Sequence, residues 1–288
     1  MTELYNKYYK LVANNTNTGK TLTIQDFQIN FSGKIYGDSN LNEMDISIAN
    51  LGNSDRAFFD EEKYKIDIEL YAGYKSLNGL IFKGTQELSN VKKGDWIKGF
   101  DKYNSRSKQD HTNWVTTLTC KDGIRHTKGS AFSLSMKGKQ KVSSVINEVA
   151  KKLGLPKGSI NTKGFKKQEF NNGFSASGNA YAFVQNLCRK NGHVAVIEKG
   201  ILNIRKIGEP LSNQIILLDK SSGLLGSPEK TEKGIKARSQ LRPDFFTGGI
   251  VEIKSDYVKG QFIINNMYPV GDYRGDDWYI DLEVQRYG

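Results

Sequence analysis

The sequence predicts a mainly β protein with an α+β insert, in which two small antiparallel β-barrel domains flank a mixed α/β domain. Three observations predict this fold class. Apolar and polar residues alternate in short runs through the first 128 residues, which is the period of half-buried strands. Apolar residues at helical spacing follow within residues 129–208, and alternation returns in residues 209–288. We therefore place the domain boundaries after residues 128 and 208.

The first predicted domain, residues 1–128, has its clearest strands where apolar residues alternate with acidic or small polar ones. These positions are Met44, Ile46, Ile48, Ile66, Ile68 and Leu70. The run from Trp114 to Thr119 predicts another strand, and the polar stretch from Asp101 to Asn113 predicts a mobile loop. Several short strands with polar turns are typical of a small barrel or sandwich.

The middle domain, residues 129–208, changes to a helical period. One apolar stripe consists of Val142, Val145, Ile146, Val149 and Leu153. Gly154 and Pro156 end this predicted helix, since glycine favours the helix C-terminus and proline cannot continue it. A second helix is predicted from Gly178 to Lys190. A hairpin follows, with a Lys199-Gly200 turn between His193–Glu198 and Ile201–Arg205.

The last domain, residues 209–288, returns to strands. We predict them at Gln214–Leu218, Ile235–Ser239, Ile250–Lys254, Gln261–Tyr268 and Tyr279–Gln285. Between the last two lies a charged loop, in which Asp272 is expected to cap the turn and Gly275 to adopt a positive φ. In the final strand Tyr279, Asp281, Glu283 and Gln285 oppose three apolar residues, which predicts one apolar and one acidic face.

The charge distribution limits the classes of partner. The chain has a formal net charge of +11, yet residues 129–208 alone carry 14 basic and 3 acidic side chains. The flanking segments are therefore nearly neutral, which disfavours a protein that grips a phosphate backbone along its length. For the lysine-rich middle, three interpretations stay open: a solvated face, docking onto an acidic protein surface, or nucleic-acid binding aided by Phe165 and Phe170.

Catalytic chemistry is weakly indicated. His111, His126 and His193 lack the spacing of metal ligands, and no nucleophile motif is present. We therefore assign no catalytic, metal-binding or cofactor-binding residue and expect no cofactor. The adjacent acids Asp276 and Asp277 do not establish a glycoside hydrolase, which needs two carboxyls across a cleft, since adjacent acids in a loop are usually solvated.

Cellular location is constrained by three features. Neither a membrane-spanning run nor an apolar signal core is present, so we expect no membrane insertion and no secretion. Cys120 and Cys188 lie within apolar patterns and are predicted to be reduced core residues, as in a reducing cytoplasm.

Several short stretches of the C-terminal third occur in a recognisable order. They are Gly226–Ile235, Leu241-Arg242-Pro243, Gly248–Ser255, Gly260-Gln261-Phe262 and the Gly-Asp-x-Arg-Gly-x-Asp-Trp-Tyr run at 271–279. This order and spacing resembles the C-terminal part of the tail hub (baseplate hub) proteins of tailed bacteriophages, the late control D-like family.

The resemblance implies a structural virion protein and not an enzyme. Hub proteins of this kind form trimers in which two barrel-like parts per chain give a pseudo-six-fold ring. That ring joins the tail tube to the central spike or tail tip and leaves a channel for DNA, which passes without specific binding. The implied partners are two further copies of the chain, the tail tube protein, the spike or tip protein, and the tape measure and baseplate wedge proteins. The implied location is the virion tail, after assembly in the host cytoplasm. The alternatives are a tail-associated cell-wall hydrolase and a nucleic-acid-binding module formed by the basic middle domain.

Five residues are predicted to make interactions. Arg274 is expected to pair with a carboxylate, either Asp276 or one on a neighbouring subunit, while Trp278 anchors the loop in a core. Asp281 and Glu283, on the polar face of the last strand, are expected to line the channel, where negative charge would repel DNA.

Overall fold

The computed structural model describes residues 6–60, 63–93, 114–232 and 234–287. Within them the chain is mainly β, as predicted. The predicted loop from Asp101 to Asn113 lies outside the described residues. None of the described helices is both long and apolar enough to span a membrane.

The strands and helices are numbered in chain order. The strands are β1 (Lys7–Asn15), β2 (Thr21–Ile24), β3 (Ile29–Tyr36), β4 (Glu43–Ala49), β5 (Ile66–Tyr74), β6 (Leu77–Lys93), β7 (Trp114–Lys121), β8 (Ala131–Met136), β9 (Gln140–Lys141), β10 (Lys157–Ile160), β11 (Glu169–Phe170), β12 (Phe174–Asn179), β13 (His193–Glu198), β14 (Ile201–Lys206), β15 (Ile215–Asp219), β16 (Leu224–Thr231), β17 (Gly234–Gln240), β18 (Ile250–Lys254), β19 (Lys259–Asp272) and β20 (Trp278–Arg286). The helices are α1 (Asn53–Phe58), α2 (Ile124–Lys128), α3 (Val142–Leu153) and α4 (Ala180–Arg189).

One 13-stranded sheet contains the strands of both ends of the chain. Its order is β16, β17, β20, β19, β3, β4, β7, β6, β5, β1, β2, with β18 on β19 and β15 on β18. Among the described residues this path runs from β16 to β2 without closing. The prediction of two closed barrels is therefore wrong, although the strands predicted from alternation are present.

The long strand β19 is the reason why the two ends share a sheet. Its first part pairs with β18, from Lys259 to Ile263, and its second part pairs with β3, from Asn266 to Asp272. The opposite edge of β19 pairs with β20 along both parts. At about 3.3 Å per residue its 14 residues span about 45 Å, which is enough to serve both groups of strands.

The core of this sheet is continuous across the two groups of strands. A single hydrophobic cluster includes Leu11, Phe31 and Ile46 from the N-terminal strands together with Ile264 and Leu282 from the C-terminal ones. Strands such as β1 and β5 alternate buried and half-exposed residues, so one face of each contributes to this cluster.

The middle segment, residues 129–208, has a core of its own, in which α3 and α4 pack with β13 and β14. The predicted first helix is confirmed: α3 spans Val142–Leu153, and Gly154 ends it at a φ of 68°. The second helix starts two residues later than predicted, at Ala180, because the Asn179 side chain accepts a hydrogen bond from the Ala182 N–H at 2.9 Å. The predicted hairpin is confirmed as β13 and β14. The boundaries at residues 128 and 208 stay predictions.

Candidate interaction surfaces

The loop between β19 and β20 is shaped by Asp272. Its Oδ1 atom accepts hydrogen bonds from the backbone N–H groups of Gly275 at 2.8 Å and Arg274 at 3.2 Å, so the predicted cap is confirmed. The expected positive φ at Gly275 is wrong. Glycine is needed there for space, because a Cβ atom would lie 2.2 Å from Asp272 Oδ2.

This loop lies on the N-terminal strands. The Lys7 ammonium donates to the backbone carbonyls of Asp272, at 2.9 Å, and Gly275. The Gln28 amide donates to Asp272 Oδ1 at 2.7 Å, and the Tyr273 N–H donates to the Ile29 carbonyl at 3.0 Å. Side-chain and backbone contacts thus join segments that are more than 240 residues apart in sequence.

Trp278 lies in the core at the start of β20: its side chain is buried, with 3% exposed. The indole N–H donates to the Gly73 carbonyl at 2.9 Å, and the ring packs edge-on against Phe31 at a centroid distance of 5.4 Å. The Phe31 ring also covers Gly271, where a Cβ atom would meet it at 2.2 Å. Trp278 is therefore fixed by both a hydrogen bond and close packing.

Arg274 and Asp276 are both exposed at the tip of the loop. The Arg274 guanidinium makes a long hydrogen bond of 3.5 Å to the Asp26 carbonyl. In the described part of the chain, neither residue takes part in an ion pair. A pairing of Arg274 with a neighbouring subunit stays a prediction.

Asp281 forms a bidentate ion pair of the kind that the sequence analysis predicted for Arg274. Its carboxylate accepts from Arg238 Nε at 2.7 Å and from Nη2 at 3.0 Å, and the guanidinium covers the Tyr279 ring at 3.8 Å. Sequence reasoning missed Arg238. The sequence held one indication of this pair: the basic residues Lys236 and Arg238 lie two apart along β17, just as the acidic residues Asp281 and Glu283 lie two apart along β20.

Glu283 lies next along the same face of β20. Its Oε2 atom accepts from the Asn266 amide at 2.8 Å and from the Tyr268 hydroxyl at 3.2 Å. Two influences raise the pKa of Tyr268 to about 12: burial is the larger one, and the charge of the Glu283 carboxylate is the second. The phenol therefore keeps its proton and remains a hydrogen-bond donor at neutral pH. These groups border a cavity of about 560 Å³ between β17, β19 and β20.

Among the strands that the structure describes, the sheet also has unpaired edges. β16 and β2 end the hydrogen-bonded path, and β15 pairs only with β18 among the described strands. β15 exposes 46% of Ile215 and 38% of Leu217, two large apolar residues on one side of the strand. Pro228 lies in β16, where its missing N–H weakens pairing by another strand. The edge of β15 is therefore more suitable than that of β16 for strand addition.

The middle segment carries many basic side chains and few acidic ones that could pair with them. Of its three acids, Glu198 is buried, while Glu148 and Glu169 pair with Lys151 and Lys139. Phe165 is buried and Lys167 covers Phe170 at 4.6 Å, so neither ring offers a free stacking face. These contacts favour a cationic docking or solvated face over a platform for stacked bases.

Histidine and cysteine side chains are used structurally where they are described. His126 Nδ1 contacts the Leu153 carbonyl at 2.9 Å, and both ring nitrogens of His193 contact carbonyls, those of Asn191 and Lys163. His111 lies outside the described residues. Cys120 and Cys188 are buried free thiols, and burial raises the pKa of Cys188 to about 12. No cluster of three metal-ligand side chains occurs among the residues that the structure describes.

Solved structures share this fold. A 43 kDa tail protein of prophage MuSo2 from Shewanella oneidensis matches with a TM-score of 0.61 and 9% identity, covering 97% of both chains. A tail protein from Neisseria meningitidis matches with a TM-score of 0.60 and 10% identity, covering 98% of this chain and 97% of that one. A type VI secretion system component from E. coli matches with a TM-score of 0.56 and 11% identity, over 91% and 74%. At such identities the likeness concerns the fold alone.

The sequence itself carries the family assignment. No curated protein matches it significantly. A family model described as Baseplate hub gp41, however, matches residues 11–284, which is nearly the whole chain and includes both groups of sheet strands and the middle segment. The chain therefore belongs to the baseplate hub gp41 family, a structural family of bacteriophage tails.

Proposed function

We propose that the protein is a non-enzymatic hub subunit that forms a trimeric ring between the tail tube and the central spike or tail tip, with a channel for DNA. The observation that carries the proposal is the family match over residues 11–284, on a chain whose sheet has unpaired strand edges among the described residues. The E. coli type VI secretion component of the same fold is described as structurally similar to the bacteriophage T4 tail proteins gp27 and gp5. The tape measure and baseplate wedge proteins are further proposed neighbours, in a virion assembled in the host cytoplasm.

The symmetry of the proposal rests on the two arms of the sheet. In place of two barrels, each chain supplies one arm of N-terminal strands and one of C-terminal strands, which meet at β19 and β3. Three chains then present six arms, so that a six-fold tube faces a three-fold spike. Free edges such as that of β15 would gain main-chain hydrogen bonds in a ring.

The assembly is tested by native mass spectrometry of the chain alone and with the tail tube protein of the same phage. The proposal expects a species of three times 32.4 kDa, at least in the presence of the tube protein. Ile215→Lys with Leu217→Lys places charge on the exposed side of β15 and should abolish this species. The control is Tyr257→Lys, since Tyr257 is 81% exposed at a turn. A chain that stays monomeric with its tube protein would refute the proposal.

The channel is the second part of the proposal, with Asp281 and Glu283 as lining residues. Glu283 has no ion-pair partner among the described residues, whereas the charge of Asp281 is neutralised by Arg238. A Glu283→Lys virion should therefore eject DNA more slowly, while Glu252→Lys, at an acid paired with Lys254 on β18, serves as control. Equal ejection rates for Glu283→Lys and wild-type virions would show that Glu283 does not line the channel.

A further inference from the structure

Two strands of the middle segment, β8 (Ala131–Met136) and β12 (Phe174–Asn179), form an antiparallel ribbon that is separate from the large sheet. Among the described strands, each of the two pairs only with the other. One face of the ribbon is apolar: Phe132 is buried in the core of the middle segment, with Leu134 and Met136 packed against that core. A ribbon with one buried face and two unpaired edges can accept a further strand.

The register shows which backbone groups lie at the outer edges of the ribbon. The Ala180 N–H donates to the Ser130 carbonyl at 2.8 Å, so this pair at the end of the ribbon is hydrogen-bonded. Hydrogen-bonded and non-hydrogen-bonded pairs alternate along an antiparallel ladder. The non-hydrogen-bonded pairs in the middle of the ribbon are therefore two serine pairs, Ser133 with Ser177 and Ser135 with Ser175. The N–H and C=O groups of these serines point outward, on β8 toward one edge and on β12 toward the other.

The edge of β8 lacks the features that protect strand edges in proteins. Natural edge strands commonly carry a charge, a proline or a bulge, each of which deters pairing by another strand. The six residues of β8 include no charged residue, proline or glycine, and their register with β12 is unbroken. β12 contains Gly178 at a φ of 129°, which a regular strand does not adopt, and it leads directly into α4. β8 therefore offers the more regular edge for an added strand.

Lysine residues follow directly after β8. Lys137, Lys139 and Lys141 come at every second position and are exposed, as are Ser133 and Ser135 before them. Lys139 pairs with a carboxylate at the start of β11, whereas in the described part of the chain neither Lys137 nor Lys141 takes part in an ion pair. A strand added to the edge of β8 would thus lie between short, uncharged side chains and end among lysines. Acidic side chains on that strand would complement this charge.

An extended peptide fits this edge better than a nucleic acid does. The edge of a strand presents alternating N–H donors and C=O acceptors, and another strand satisfies both. A DNA backbone offers acceptors only, so it would leave the outward carbonyls of Ser133 and Ser135 without a partner. The nearby rings are also unsuited to stacking on bases, because Phe165 is buried and Lys167 covers Phe170.

We propose that the edge of β8 binds an extended, acidic segment of another protein, which adds to the ribbon as a third strand. The backbone of this segment exchanges hydrogen bonds with Ser133 and Ser135, and its carboxylates contact Lys137, Lys139 and Lys141. Backbone pairing provides affinity, and the lysines select acidic sequences. The site lies outside the large sheet, so the inference does not depend on the proposed ring or channel.

Fluorescence anisotropy of the full chain with a labelled peptide tests the site. The probe is a peptide of about eight residues in which glutamate and valine alternate, long enough to pair along the whole edge. The same peptide with every backbone nitrogen methylated keeps its charges but has no N–H donor, and it should bind at least about tenfold more weakly. Equal binding of the two peptides would show that charge alone attracts the probe, which would overturn strand addition.

A proline at each of two paired serines distinguishes the two edges of the ribbon. Ser135→Pro removes an outward N–H from β8 and should weaken binding by about tenfold. The matched control is Ser175→Pro, because Ser175 lies directly across the ribbon and its N–H points to the opposite edge. This variant should bind within about twofold of the wild type. An undiminished affinity in Ser135→Pro, or an equal loss in both variants, would refute binding at the edge of β8.

Charge variants leave the ribbon itself unchanged and test the lysines. Lys137→Glu combined with Lys139→Glu should weaken binding by at least about tenfold. The control, Lys254→Glu combined with Lys259→Glu, makes the same change in net charge at two exposed lysines, of which one is likewise ion-paired. Equal losses in the two double variants would mean that only net charge matters. Tighter binding of a DNA duplex than of the peptide, or no binding of the peptide at millimolar concentration, would also overturn the proposal.

Discussion

Trp278 offers the most direct test of how the two groups of sheet strands are held together. Trp278→Phe keeps an aromatic ring against Phe31 but removes the indole N–H, which leaves the Gly73 carbonyl buried without its donor. Such a loss costs about 1–3 kcal/mol, and the smaller ring adds the cost of a cavity. We expect the free energy of unfolding to fall by about 2–4 kcal/mol, and by more in Trp278→Ala.

Thermal unfolding followed by circular dichroism measures this effect. At about 2.1 cal/mol/K per residue the unfolding entropy of 288 residues is about 0.6 kcal/mol/K, so about 2 kcal/mol corresponds to a decrease in Tm of about 3 °C. Tyr257→Phe changes an aromatic residue that is 81% exposed, and its Tm should remain close to that of the wild type. If Trp278→Phe unfolded within 1 °C of the wild type, the indole hydrogen bond would not contribute to joining the strands.

Two further predictions follow from side-chain packing and burial. Gly271→Ala places a Cβ atom 2.2 Å from the Phe31 ring and should lower the free energy of unfolding by about 1–3 kcal/mol in urea titrations, whereas Gly129→Ala, whose Cβ would meet nothing closer than 3.8 Å, should cost far less. Equal urea midpoints for the two variants would contradict this packing argument. Cys120 and Cys188 are buried with raised pKa values, so neither thiol should react with Ellman's reagent at pH 8 in the folded chain, and both should react in urea. Rapid reaction of either thiol without urea would show that its cluster opens readily.

The sequence was sufficient where structure depends on neighbours along the chain. The spacing from Val142 to Leu153 predicted α3 with its observed ends, and Lys199-Gly200 predicted the turn that joins β13 and β14. Alternation likewise located β18, which spans Ile250–Lys254 as predicted. Period and turn chemistry are local properties, so a single sequence contains them.

Of the candidate interaction residues, some could be placed from the sequence and others could not. The burial of Trp278 follows from an aromatic residue at the start of an alternating strand. The ion-pair partner of Asp281 could not be predicted in this way, because Arg238 lies opposite Asp281 only when β17 pairs with β20. The burial of Asp122 and Glu198 was also missed, since both appear in the sequence as ordinary polar residues beside turns.

The family assignment and the positions of α3, of the β13–β14 hairpin and of strands such as β18 were thus determined by the sequence alone. Only the tertiary structure decided that the two groups of strands form one open sheet and not two barrels. The pairing of Asn266 with Tyr36 that joins them spans more than 220 residues. The periodicity of a strand specifies which face is buried, but both edges of every strand carry the same backbone donors and acceptors. Which edge meets which is therefore set by the packing of the whole chain.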